Sequence, residues 1–152
     1  MLRQIKVVID ANVIISSLIG GGIPSNALFL ALSIGSVYRP PEMEKELFAF
    51  LEEIEKQASK KGTLFSEKQR GYVKKFFTDF IKETKPHRPS LIQNFSRDKA
   101  DDVYIAVALE TKAQFLITGD KDLLTLKKQF ETLKIVNPRE FVNLMANSKI
   151  KC

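Results

Sequence analysis

Two aspartates, Asp10 and Asp120, follow short apolar runs, Ile5-Lys6-Val7-Val8-Ile9 and Ala113-Gln114-Phe115-Leu116-Ile117-Thr118. Neither run alternates strongly, as expected of strands buried on both faces of a parallel sheet. Parallel strands bring their carboxyl ends to one edge, so the two carboxylates converge. Asp98, Asp101 and Asp102 crowd the start of a predicted helix, and Asp98 and Asp102, four apart, share a face of it. A third acid is thereby placed to join the pair. Clustered carboxylates raise one another's pKa, and a cation relieves that cost. Hard oxygen ligands select Mg²⁺ or Mn²⁺, and a single His and a single Cys leave little material for a softer metal. Such an ion lowers the pKa of water and polarises a phosphoryl oxygen, the requirements of phosphodiester hydrolysis. Each acid also has an ordinary structural use, in a turn, as a helix cap or against a helix dipole.

The elements that must position these acids follow from the apolar pattern. After the first strand, Pro24 suits a first helical turn, Leu28, Phe29, Ala31 and Leu32 keep helical spacing, and Gly35 supplies a stop. A second strand, Ser36 to Arg39, meets Pro40-Pro41. Met43, Leu47, Phe50, Leu51, Ile54 and Ala58 then recur at helical intervals, and the segment closes in Lys60-Lys61-Gly62. Ser66 and Gln69 have capping-box spacing ahead of the stripe Val73, Phe76, Phe77, Phe80 and Ile81, which is expected to be core. Lys85-Pro86-His87-Arg88-Pro89-Ser90 ends that helix, and His87 is expected in an exposed loop. A helix of small residues follows Asp98, then a strand to Thr118, a short helix from Asp122, a strand from Leu133 to Val136 and a last helix from Pro138. The order βαβαααβαβα predicts a three-layer α/β/α sandwich on a central parallel sheet of four to five strands. Ligands of such sheets sit beyond the carboxyl ends of the strands. Residues 1–146 are expected to form one domain, with 147–152 a frayed tail. Gly20-Gly21-Gly22 lacks a following Lys-Ser/Thr pair, which excludes a nucleotide-binding P-loop and leaves a flexible rim beside the site.

With 152 residues, 44% hydrophobic and 28% charged, the chain is long enough for one packed core and too apolar for global disorder. The uncharged stretch from Ala11 to Tyr38 is broken by Ser, Gly and Pro and does not form a bilayer span. The short apolar run before Asp10 is no secretory signal, and the lone Cys152 forms no internal disulfide, so a cytoplasmic location is expected. A net charge of +6 favours phosphate-rich partners.

Four segments together resemble the PIN domain: Ile9-Asp10-Ala11-Asn12-Val13, Glu46-Leu47, Asp101-Asp102-Val103-Tyr104-Ile105-Ala106-Val107-Ala108, and Leu116-Ile117-Thr118-Gly119-Asp120-Lys121-Asp122-Leu123-Leu124. The resemblance runs from about Val7 to Phe141 and is closest to the VapC-like toxin components of toxin-antitoxin systems. It implies a Mg²⁺- or Mn²⁺-dependent endoribonuclease whose metal-binding, catalytic quartet is Asp10, Glu46, Asp102 and Asp120. Asn12 and Thr118 would position these acids or the attacking water, Asp122 would be an extra acid, and Asp101 has a weaker claim, as does Asp98. The family pattern selects Asp102 because Ala106 and Ala108 follow it by four and six residues. Glu42, Glu44 and Glu46 compete as the second acid, since helical geometry does not choose among them and only the acid-then-Leu pattern favours Glu46. RNA as substrate, a small antitoxin protein as partner and a homodimer are further implications.

Arg70, Lys74 and Lys75, with Lys127 and Lys128, are candidate contacts for RNA phosphates, although a charge-rich helix face is more often simply solvated. Two other readings compete. A haloacid dehalogenase-like phosphatase would use Asp10 as a covalent nucleophile, but the acid expected two positions later is Asn12. A non-catalytic PIN-like module would bind nucleic acid or a partner without cutting it. A response-regulator receiver ranks low, because Asp10 lacks an acidic neighbour.

Overall fold

The computed structural model describes residues 5–20, 22–58 and 65–147. β1 (Ile5–Ile9) is the central strand, and its Val7, Val8 and Ile9 are fully buried. On one side it pairs with β2 (Gly35–Arg39), which pairs with β3 (Lys85–Pro86); on the other it pairs with β4 (Phe115–Ile117), which pairs with β5 (Lys134–Val136). All four pairings are parallel, giving the order β3-β2-β1-β4-β5. This is the parallel sheet expected, with five strands.

α1 (Ala11–Ile19) and α2 (Gly22–Ile34) connect β1 to β2, α3 (Met43–Gln57) and α4 (Glu67–Glu83) connect β2 to β3, and α5 (Lys99–Thr111) returns from β3 to β4. α6 (Lys121–Leu124) and a 3₁₀ turn at Lys127–Gln129 precede β5, and α7 (Pro138–Asn147) follows it. The crossovers β1 to β2 and β3 to β4 run in opposite directions across the sheet, so right-handed connections put α2 and α5 on opposite faces. α2 packs on α7, β1 and β2, while α5 packs on β1, β2 and β4. The result is a three-layer α/β/α sandwich.

Phe77 and Phe80 are buried and Phe76 is half-buried, as their spacing requires, with Phe48 and Phe50 edge-on to Phe77 at ring distances of 6.3 Å. The predicted capping box forms: Ser66 Oγ accepts from Gln69 N and Gln69 Oε1 accepts from Ser66 N. Gly35 stands where α2 gives way to β2, and a Cβ there would lie 2.7 Å from Ile5 O, too close for any side chain.

Two elements differ from expectation. The sequence carries no signal for α1, which begins directly at the strand's end; Gly20 N closes it on Ser16 O, and Gly22, at φ +60°, opens α2. β3 lies in a segment whose prolines predict only a helix-breaking loop, yet Tyr38 and Arg39 pair with Lys85 and Pro86 at the sheet edge, where proline is tolerated. The predicted close at Lys60-Lys61-Gly62 lies outside the described residues. So does the predicted frayed tail beyond Asn147, which itself ends α7. Among the described residues no helix is long and apolar enough to cross a membrane.

Candidate active site at the carboxyl edge of the sheet

The chain leaves β1 and turns to β2 on one side, and β4 is added on the other. This reversal opens the sheet at the carboxyl ends of β1 and β4, the place where parallel sheets bind ligands. Asp10 and Asp120 stand there. Asp10 caps α1, its Oδ1 accepting from Asn12 N at 3.1 Å, and its Oδ2 accepts from the Thr118 hydroxyl at 2.8 Å. The same Thr118 oxygen accepts from Asp120 N at 3.0 Å, and Asp120 Oδ1 caps α6 by accepting from Asp122 N at 2.8 Å. Thr118, fully buried, thus ties the two strand ends together and orients both aspartates. Burial pushes the Asp10 carboxyl above its ordinary pKa, with the Asp120 charge adding to the effect and the Asn12 and Thr118 hydrogen bonds opposing it.

The third acid comes from α5, and here the structure separates two adjacent residues. Asp102 is buried and turned to the preceding segment, its Oδ1 accepting from Phe95 N at 3.0 Å and Ser96 N at 2.8 Å. Asp101 faces the strand ends instead. Burial first, and then the charges of Asp120, Asp98 and Asp10, push its carboxyl up to about 7. Of the two, the structure places Asp101 beside Asp10 and Asp120 and Asp102 against the Phe95 and Ser96 amides. Successive helical residues point about 100° apart, so only one of the pair can face the sheet edge. Asp98 caps α5 through Ala100 N and borders the group.

The three glutamates at the start of α3 also part company. Glu42 lies 3.6 Å from Arg88 in an exposed ion pair. The Glu44 charge acts on Arg39, whose buried guanidinium bonds to Thr84 Oγ1 and to Ile81 O. Glu46 alone of the three is held by α5, its Oε1 accepting from the Tyr104 hydroxyl at 3.1 Å. Burial raises the Glu46 pKa against that hydrogen bond, and the charges of Asp10, Glu42 and Asp98 raise it further. Tyr104, almost fully buried, is itself pushed upward by burial and by Glu46 and Asp10. In the sequence Tyr104 stands out only as part of the family pattern; its position three residues after Asp101 on one helix is the signal that links it to the site.

Asn12 is exposed beside Asp10, and Asp122 pairs with Arg97 at 3.1 Å. Among the proposed phosphate contacts, Arg70 is committed to Glu55 and to Phe65 O, Lys75 to Asp79 and Lys127 to Glu140, whereas Lys74 and Lys128 are exposed. His87 is not a free loop residue: its Nε2 lies 2.9 Å from Glu110 Oε1.

Among the described residues, no three Asp, Glu, His or Cys side chains are drawn together closely enough to hold a metal ion. The donor set nevertheless suits a hard divalent cation. It consists of carboxyl oxygens, and none of the ion pairs among the described residues joins Asp10, Asp101 or Asp120 to a Lys or Arg. Each Asp10 oxygen and Asp120 Oδ1 spends one lone pair on orientation and keeps another.

The sequence pattern of the PIN domain matches residues 6–122. The chain is also 37% identical over 149 residues to an uncharacterized protein of Methanocaldococcus jannaschii, an alignment covering 91% of this chain and 90% of that protein.

Proposed function

The chain belongs to the PIN domain family, whose members are typically nucleases that use divalent metal ions, and on that premise we propose that it is a Mg²⁺- or Mn²⁺-dependent endoribonuclease. The observation that carries this reading is that Asp10, Asp101 and Asp120 stand on one edge of the sheet, at its switch point, with no Lys or Arg among the described residues in an ion pair with them. These three would hold the ion, with Glu46 completing the set from across the site under the control of Tyr104. A bound divalent cation would supply an acidified water and a polarised phosphoryl oxygen. Thr118 keeps Asp10 and Asp120 in register, and Asn12 N holds Asp10 Oδ1, so both aspartates present oriented lone pairs to the substrate side. Asp102 acts differently: by gripping Phe95 N and Ser96 N it sets the entry of the chain into α5 and so aims Asp101. Asp122 would be held back from the ion by Arg97. Exposed Lys74 and Lys128 remain suited to flanking phosphates. A toxin role, with a small antitoxin protein and a homodimer, would show as growth arrest on expression that Asp10→Asn abolishes.

The test is cleavage of a pool of single-stranded and structured RNA by the purified protein with Mn²⁺, Mg²⁺ or chelator, beside Asp10→Asn. Metal-dependent internal cuts that vanish in the variant are expected. RNA binding without cuts would instead support a binding module, and phosphate release from small monoesters a phosphatase.

A further inference from the structure

The turn that leads into α5 is clamped on both flanks of Arg97. Before it, Phe95 N and Ser96 N donate to Asp102 Oδ1 at 3.0 and 2.8 Å, and the Phe95 ring stands edge-on to Phe130 at a centroid distance of 5.2 Å. After it, Asp98 N donates to Ser96 Oγ at 3.2 Å, Ser96 Oγ donates to Asp98 O at 2.8 Å, and Asp98 caps the helix. The side chain on this fixed backbone is free by contrast. It is 88% exposed, and among the described residues its guanidinium has one polar partner, Asp122 Oδ1, 3.1 Å from Nη2. Resting on the nuclease reading, we infer that Arg97 is a ligand for an RNA phosphate at this site, and that its ion pair with Asp122 is a latch that the phosphate opens.

Asp122 ties the latch to the acids, because its own N–H donates to Asp120 Oδ1 at 2.8 Å. The guanidinium is therefore linked to Asp120 through a single residue. An incoming phosphate needs such a cation, since Asp10, Asp98, Asp101, Asp120 and Asp122 share this edge and repel an anion. A planar guanidinium meets phosphate through two parallel N–H groups, and with one donor engaged the rest of the Arg97 fork is available. Exchange of partners is cheap. An ion pair this exposed contributes little, whereas phosphate offers two charge-assisted hydrogen bonds in place of one. Before RNA arrives, Asp122 gives the guanidinium a partner outside the group and so keeps it off Asp101 and Asp120, where it would compete with the cation. A fixed backbone under a solvated tip confines the ordering cost of binding to one side chain.

The probe is a short single-stranded oligoribonucleotide bound in chelator, with affinity followed over a range of salt concentration. Arg97 is exposed, so its replacement should leave Tm unchanged. Arg97→Gln is expected to weaken binding about tenfold and to reduce the slope of log K against log salt by about 0.7, the loss of one phosphate contact on a single strand. Arg97→Lys should keep the slope and lose about threefold in affinity with the planar fork. Asp122→Asn opens the latch: it should tighten binding about threefold in wild type and in a Lys99→Gln background, and not at all in an Arg97→Gln background. No binding by wild type, full affinity and slope in Arg97→Gln, or an Asp122→Asn gain that persists without Arg97 would overturn the latch. Metal-dependent cutting by the same preparations would in each of those cases leave the nuclease reading intact. Arg97-dependent binding by a protein that cuts no RNA with Mn²⁺ or Mg²⁺ would overturn the nuclease reading and leave Arg97 as the phosphate ligand.

Discussion

At the amino end of α5, burial acts first on the Asp101 carboxyl, and the charges that act on it next, those of Asp120, Asp98 and Asp10, raise its pKa further. At the carboxyl end, Glu110 is hydrogen-bonded to His87 Nε2 and accepts from Ser90 N, Leu91 N and Ser90 Oγ, which together, His87 foremost, hold its carboxyl down to about 2. One helix thus carries acids of opposite standing. Glu110 is satisfied by its own chain and pins the segment that enters α5, whereas Asp101 is left wanting a cation. Asp102 is adjacent to Asp101 yet belongs with Glu110, since it too accepts backbone N–H groups of that segment. The difference teaches that a carboxylate is informative through its partners: donors from the backbone mark a structural clamp, and facing carboxylates mark a place for an ion.

The sharpest way to break this contrast is to exchange the neighbours. Asp101→Asn is expected to lower RNA cleavage at least about 100-fold and Asp102→Asn by less than about tenfold. Asp102→Ala should instead cost about 1–3 kcal/mol of stability by leaving the Phe95 and Ser96 N–H groups without their acceptor. Thermal unfolding and single-turnover cleavage measure both, and the reverse ranking would return the third-acid role to Asp102.

Metal addition comes next in size. Mn²⁺ at 100 times its Kd should stabilise wild type by about 2.7 kcal/mol, a Tm rise of about 5–10 °C. Asp101→Asn and Asp120→Asn should lose most of that rise, and Glu110→Gln should keep it. Equal shifts in all three variants would separate metal binding from the acidic edge.

In chelated protein a smaller effect has a definite sign. Asp101 is raised from the usual 3.8 to about 7, so between those values the native state binds more protons than the unfolded chain. Stability therefore falls as pH rises through that window. Asp101→Asn should flatten the slope and raise Tm at pH 7.5 by about 2–4 °C, corresponding to about 1 kcal/mol. A steeper slope in the variant would contradict the placement of Asp101.

Glu110 carries the opposite and smallest effect. Its pKa is lowered from 4.5 to about 2, so its contribution is complete above pH 4.5 and is lost as pH falls through 2. Glu110→Gln should remove that acid dependence and speed amide exchange at Ser90 and Leu91, with cleavage at neutral pH unaltered. Slowed cleavage in a fully folded Glu110→Gln would tie the two ends of the helix together.

Much of this was legible in residue types and spacing. The β-branched run ending in Asp10, the run ending before Asp120 and the helical stripes between them define a parallel sheet, and parallel strands leave little choice about which edge receives both aspartates. The Ser66 capping box and the Phe77 and Phe80 core followed from local spacing, because those contacts join residues within a few positions or on one face. β3 was hidden, since two residues containing a proline carry no period and acquire strand character only by pairing with Tyr38 and Arg39.

The chain by itself determined that acids would meet at the carboxyl edge, because strand periodicity and the order of elements are local properties. Which acids meet was decided by tertiary structure. Asp101 and Asp102 are chemically identical neighbours, and only the docking of α5 on β1, β2 and β4 turns one to the strand ends and the other to the Phe95 and Ser96 amides. Likewise Glu42, Glu44 and Glu46 stand within one turn at the start of α3, and their roles diverge because Arg88 and Tyr104 arrive from distant parts of the chain while the neighbouring Arg39 takes Glu44. Choosing among like residues requires knowing which partners each one meets, and those are brought together only by the packed fold.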